Sequence, residues 1–335
     1  MEDGVKLPVS SRYIPMLATA LVLIALYATG CISFDRFASL RVAVNLAGDN
    51  AFLGIAAVGA TFVILSGGID LSVGAVVAFT SIFIASLVER HGINPFAAMS
   101  LALVVGAAFG TGMGCLIQWF ELPPFLVTLA GMFLARGVGF MVEPQSLGIK
   151  HTFFLQTISE RLSLPLNERV SFPFTATCFV GVFLLALLVA HYTRFGRTIY
   201  ALGGDEQSAR LMGLPVARTK IFTYAMSGFC SALAGVVYTF YTQSGDPASC
   251  VGLELDAIAA VVIGGTLLSG GVGFMAGTAM GVLILGLIQT LITFKGDLNS
   301  WWTRIAVGML VFVFILLQNF ISSASRRLGG AGGQA

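Results

Sequence analysis

At 335 residues, 57% hydrophobic and 10% charged, the chain carries more apolar surface than one soluble core of that length could bury. A formal net charge of +2, without a basic run interleaved with aromatics, gives no case for nucleic acid as a partner. Five cysteines (Cys31, Cys115, Cys178, Cys230 and Cys250) without a C-x-x-C spacing, and three histidines without ligand spacing, argue against a disulfide framework or a metal site.

The class that remains is an all-α polytopic membrane protein in contact with lipid. Allowing about 17 to 25 residues per crossing, one transmembrane domain over 1–335 has about ten spans, at about 15–33, 51–66, 75–88, 95–120, 124–142, 172–192, 221–243, 256–270, 272–294 and 303–323. No cleavable signal pattern precedes the first span, and Lys6 and Arg12 put its N-terminus on the cytoplasmic side. Ten crossings return the C-terminus to that side.

The second span runs into Ser66-Gly67-Gly68-Ile69-Asp70-Leu71-Ser72. Adjacent glycines weaken a helix, and a carboxylate at membrane depth is costly unless it lines water or finds partners. Two readings stand: Asp70 with Ser72 caps the third span by accepting backbone N–H bonds, or Asp70 contacts the transported solute. In the fourth span Gly106, Gly110 and Gly114 recur at four-residue spacing, as Gly273, Gly277 and Gly281 do in the ninth. Small residues so spaced bring helix backbones together. With a weaker echo between Asp70 and Asp256, they point to an inverted repeat of spans two to five and seven to ten, or to ordinary close packing. Arg136 in the fifth span is a buried-charge candidate, as is Arg304 opening the tenth, unless it snorkels to the interface beside Trp301 and Trp302.

The polar stretch 193–220 carries Arg194, Arg197, Arg210, Arg218 and Lys220 against Asp205 and Glu206, and its charge places it in the cytoplasm. Gly203-Gly204 reads as a turn, Asp205 and Glu206 as the start of a short helix to Met212, and Gly213 with Pro215 as its stop. Such a helix, parallel to the membrane, would dock a soluble partner; alternatively the loop's charges only set topology. Further on, Gly264, Gly265, Thr266, Ser269, Gly270 and Gly271 interrupt apolar sequence. They mark a broken span whose freed backbone groups face a cavity or a protein partner, or a tight interhelical turn. No phosphate loop, nucleophile elbow or H-E-x-x-H motif occurs, so neither catalysis nor a cofactor is expected in this chain.

Three stretches, Thr61 to Gly74, Ala201 to Gly213 and Val262 to Gly273, resemble in residues and order the permease family of bacterial monosaccharide ABC importers of the ribose, xylose and galactose type. The run Gly252 to Gly273 and Ser300-Trp301-Trp302-Thr303 look most similar to galactofuranose importer permeases. The resemblance implies a bacterial inner-membrane subunit that pairs with a second permease, identical or paralogous. An ABC ATPase carrying ATP-Mg would bind from the cytoplasm, and a periplasmic sugar-binding protein holding most of the selectivity would dock outside. On this reading Gly203, Gly204, Asp205, Glu206, Ala209, Arg210, Met212 and Gly213 form the coupling helix seated on the ATPase, although Gly204 stands where relatives often carry another residue. Ser66, Gly67, Gly68, Asp70 and Ser72 shape one pathway break and Gly264 to Gly271 the other. The competing reading is an ion-coupled secondary transporter with Asp70 as its coupling carboxylate.

Overall fold

The computed structural model describes residues 14–35, 37–159, 162–163, 171–296 and 301–330; Lys6, Arg12 and Ser300 lie outside them. In chain order the elements are α1 (Ile14–Ser33), α2 (Leu40–Asp49), α3 (Ala51–Leu65), α4 (Val73–Glu89), α5 (Pro95–Trp119), α6 (Pro124–Val142), β1 (Leu147–Gly148), α7 (Thr152–Ser159), β2 (Leu162–Ser163), β3 (Ser171–Phe172) and α8 (Phe174–Tyr192). There follow α9 (Arg194–Gly204), α10 (Glu206–Leu211), α11 (Val216–Thr242), β4 (Ser244–Gly245), α12 (Leu253–Ile263), α13 (Met275–Lys295) and α14 (Trp301–Gly330). Among the described residues the strands form two antiparallel two-residue ladders; one pairs β1 with β4 and ties the segment after α6 to the end of α11.

Among the described residues six helices are long and apolar enough to cross a membrane: α1, α5, α6, α8, α11 and α13. A seventh arises if α2 and α3, bent by 56° at Asn50, make one crossing. The protein is therefore an all-α polytopic membrane protein. Helices α4 and α12 are shorter. The stretch expected to span 256–270 is helical only to Ile263, about 16 Å of rise, because Gly264 and Gly265 stop it.

The 27-residue α11 is the central post, buried along most of its length against α3, α4 and α5. Gly106, Gly110 and Gly114 of α5 face it. A methyl at Gly110 would collide with the Tyr224 carbonyl, and one at Gly114 would lie 2.9 Å from the Ile221 Cα. As α5 numbers rise, their α11 partners fall from Ala232 to Ile221, so the two helices run antiparallel. The second stripe does the same work: Gly277 and Gly281 lie directly on the Gly264 and Ala260 carbonyls, which sets α13 antiparallel to α12. Where backbones approach this closely, dispersion contacts supply attraction that lipid-exposed surfaces lack.

Candidate functional site

Helix α3 ends at Leu65, and the chain turns back through Gly67, whose φ of +84° suits glycine. Asp70 then sits 3% exposed. Its Oδ1 accepts from the Ser72 amide at 2.9 Å and the Ser72 hydroxyl at 2.7 Å, while Oδ2 accepts from the Ser227 hydroxyl at 2.7 Å. Ser72 is the N-cap residue of α4 but its side chain accepts no capping hydrogen bond, because its hydroxyl donates to Asp70; Asp70 serves the helix start only through the Ser72 amide. The expected cap is nonetheless incomplete as a description, because the second oxygen locks this break to the middle of α11. Gly68 leaves room for the Tyr224 hydroxyl, which a methyl there would displace.

The second break follows α12. Gly265, Gly270 and Gly271 all have positive φ, and the Ile263 carbonyl freed at the helix end accepts from the Thr19 hydroxyl of α1 at 2.5 Å. Thr266 packs its side chain against Gly273. The Gly271 amide donates to the Leu65 carbonyl at 3.0 Å, and Gly270 lies against the Gly67 backbone. The two breaks thus form one hydrogen-bonded knot. Ser66 turns its hydroxyl back to the Val63 carbonyl at 2.7 Å.

The polar central stretch enters the same knot. Gly203 and Gly204 are not a turn: they are the last residues of α9, an additional amphipathic helix started by the Thr193 hydroxyl, which accepts from the Gly196 amide. The turn reading failed because glycine also suits a helix end that must pass close to other backbone. A methyl at Gly203 would collide with the Leu65 carbonyl and lie 2.5 Å from the Gly271 nitrogen. Tyr200 adds a hydrogen bond from its hydroxyl to the Gly273 carbonyl at 2.9 Å. Asp205 closes α9 and caps α10, its Oδ1 accepting from the Ser208 amide at 2.7 Å. Those hydrogen bonds from Ser208 hold the Asp205 carboxyl below its ordinary pKa.

Burial pushes the Glu206 carboxyl up, but hydrogen bonds and charge from Lys220 and Arg210 outweigh it and leave the pKa lowered. Glu206 meets Arg210 at 2.8 Å and Lys220 at 2.6 Å, fastening α10 to the foot of α11. Ala209, expected at a partner contact, is fully buried with Leu202 and Val216. The small residue lets α10 lie flat on its neighbours. The exposed apolar tip is instead Leu211, 89% exposed, and Met212, 67% exposed, followed by Gly213 with φ +75° and open space around it. The structure therefore brings Ser66 to Ser72, Gly264 to Gly271 and Gly203-Gly204 together, with α10 packed beside the knot and its Leu211–Met212 tip exposed.

Two other expected positions lie apart from it. Arg136 donates through Nη1 to the Pro247 carbonyl at 2.7 Å and the Ser249 carbonyl at 2.5 Å, clamping the loop after β4. Arg304 does not merely snorkel: its Nη1 pairs with Asp256 at 2.7 Å. That pair borders a cavity of about 710 Å³ among α2, the end of α11, α12, α13 and α14. Sequence reasoning missed Ser227, Tyr200, Thr19 and this cavity, since hydroxyls and amides spaced over distant helices leave no local motif.

The family described as branched-chain amino acid transport system / permease component matches residues 42–316. The chain is 49% identical over 307 residues to the inner membrane ABC transporter permease protein YjfF of Escherichia coli (strain K12), covering 92% of each. It is 39% identical to the fructose import permease protein FruG of Bifidobacterium longum (strain NCC 2705), again covering 92% of each. To the ribose import permease protein RbsC of Escherichia coli (strain K12) it is 36% identical, covering 90% of this chain and 92% of that one. No solved structure matches the chain.

Proposed function

This chain belongs to the branched-chain amino acid transport system / permease component family, and from that premise we propose that it is the membrane-spanning subunit of an ABC importer that moves a monosaccharide across the bacterial inner membrane. ATP hydrolysis belongs to a separate ATPase subunit that binds ATP-Mg, and a second permease, identical or paralogous, completes the pathway. A periplasmic sugar-binding protein delivers the solute, which the resemblance in 252–273 and 300–303 favours as galactofuranose.

If α3, α4, α12 and α14 also cross beside the six longer helices, the crossings number ten and both termini lie on the α10 side, a reading that the basic charge of 193–220 supports as cytoplasmic. An inverted repeat of spans two to five and seven to ten has support in two pairs of features. Gly106, Gly110 and Gly114 sit on α5 and Gly277 and Gly281 on α13, with Gly273 two residues before that helix, while Asp70 precedes α4 and Asp256 lies in the first turn of α12.

The single observation that carries the coupling role is the seat of Gly203 on Leu65 and Gly271. A displacement of α10 by the closing ATPase passes through the last turn of α9 to both helix breaks at once, the kind of rigid-body linkage that alternating access needs. The ion-coupled alternative loses ground because both Asp70 oxygens already accept hydrogen bonds from serines. Retention of an ATPase and a second permease on the affinity-captured chain from solubilised membranes tests the assignment; capture of the chain alone contradicts it.

A further inference from the structure

The cavity of about 710 Å³ lies at the end of the bundle away from the knot: Gln289 in its wall is 12 residues, about 18 Å of rise, beyond Gly277, which packs on Gly264. Its volume falls within the roughly 300–1,000 Å³ usual for small-molecule sites. The polar wall comprises Asn45, Asp49, Asn50, Asp256, Gln289 and Arg304. Adding Arg41, the lining holds two carboxylates and two guanidinium groups, and Asp256 is already paired with Arg304. The formal charge of the lining cancels, which disfavours an ionic solute and leaves amides, each both donor and acceptor, as the recognition groups. Asn50 takes its place only because Gly286 has no side chain: a methyl there would collide with the Asn50 amide.

The same cavity also has an aromatic lining. Phe52 contacts Tyr238 with ring centroids 5.1 Å apart and Tyr241 at 5.8 Å, and all three line the cavity. A monosaccharide presents hydroxyls around its rim and C–H groups on its faces, a chemistry that amides and aromatic faces jointly match. The cavity of about 660 Å³ between α5 and α6 offers a contrast: its lining of Phe109, Met113, Leu122 and Leu126 with their neighbours is almost wholly apolar and suits acyl chains.

We infer that the polar cavity among α2, α11, α12, α13 and α14 is a binding site for a neutral monosaccharide within the permease itself, so that this subunit contributes to sugar choice. The assignment rests on the importer reading for its substrate class. A second, smaller cavity of about 450 Å³ shares Asn50, Asp256, Gln289 and Arg304 and extends the site toward α14.

The test uses the complete complex captured with the chain and reconstituted in vesicles, with tritiated D-galactose, D-ribose and D-fructose as probes. Gln289→Leu and Asn45→Leu should lower the sugar moved per ATP hydrolysed by about tenfold and change the ranking of the three sugars, each losing hydrogen bonds its own hydroxyls make. Equal loss for all three, or no loss, overturns the inference.

A second readout needs no ATPase. Thr290 also lines the cavity, and in the Thr290→Cys chain N-ethylmaleimide labelling of the peptide containing position 290 should slow severalfold in about 50 mM sugar, a concentration suited to weak binding, and not in the same concentration of L-leucine. Labelling unaffected by sugar, or slowed equally by L-leucine, overturns the site. Protection by sugar together with absent ATP-driven uptake in the unaltered complex supports the site and refutes the importer reading instead.

Discussion

The Gly271 amide donates to the Leu65 carbonyl at 3.0 Å, so the second broken span supplies a hydrogen bond to the C-terminal end of α3. Carbonyls at a helix end have no intrahelical donor, and Leu65 is fully buried, so water does not replace one here. Neither break is therefore free to move without the other, and Gly203 rests on both of these residues.

Substituting Gly203 tests how tight that seat is. Gly203→Ala drives a methyl into two backbone groups that cannot rotate away and should destabilise the detergent-solubilised protein by about 1–3 kcal/mol. At Gly204 a methyl meets nothing within 4 Å, so Gly204→Ala should stay within about 0.5 kcal/mol of neutral. Thermal unfolding of the two variants side by side separates these outcomes.

Asp70 reads as a lock, and its variants should rank accordingly. Ser227→Ala strands one carboxylate oxygen in a buried site and should cost about 1–3 kcal/mol. Asp70→Asn keeps one acceptor for Ser72 and gives an amide that the Ser227 hydroxyl can accept from, so the defect should be mild; Asp70→Ala should be the most damaging. Sugar uptake abolished by Asp70→Asn with folding intact would instead favour ion coupling.

The exposed tip of α10 should carry the partner contact. Leu211→Asp and Met212→Asp replace apolar side chains that little in this chain covers, so folding should hold while ATPase retention in a pull-down falls about tenfold or more. Ala209→Leu should act differently, by overpacking against Leu202 and Val216 and lowering thermal stability.

Acid should loosen α10 selectively. Asp205 and Glu206 both have folded pKa values below their ordinary ones, so the folded state binds fewer protons than the unfolded one. Their contribution is fully present above the ordinary carboxylate range, about pH 4, and is lost as pH falls through the lower folded values. Hydrogen exchange at the Ala209 amide, corrected for intrinsic rate, should accelerate below about pH 4. Lys220→Met removes one of the partners that offset the burial of Glu206 and should shift that acceleration to higher pH.

Much of this was legible in the sequence where a single residue type dictates the backbone. Asp205 as a cap, Gly213 as a stop, Pro95 and Pro124 as helix starts, and the two glycine stripes all act through local geometry or helical spacing. What was not legible depends on tertiary neighbours. Gly203-Gly204 has the composition of a turn, and only the proximity of Leu65 and Gly271 explains why glycine closes α9 instead. Ala209 looks the same in sequence whether it faces a partner or a core. The cavity draws Asn45, Asp256 and Gln289 from three helices separated by tens to hundreds of residues, and nothing local marks them as neighbours.

The most direct measurement of the coupling account is the sugar moved per ATP hydrolysed by the reconstituted complex carrying Gly203→Val, with the assembled fraction quantified. If α9 transmits ATPase closure to both breaks through that glycine, hydrolysis should continue while the ratio falls by about tenfold or more. An unchanged ratio in a fully assembled complex would contradict the account, since the breaks would then be moved by some route other than Gly203.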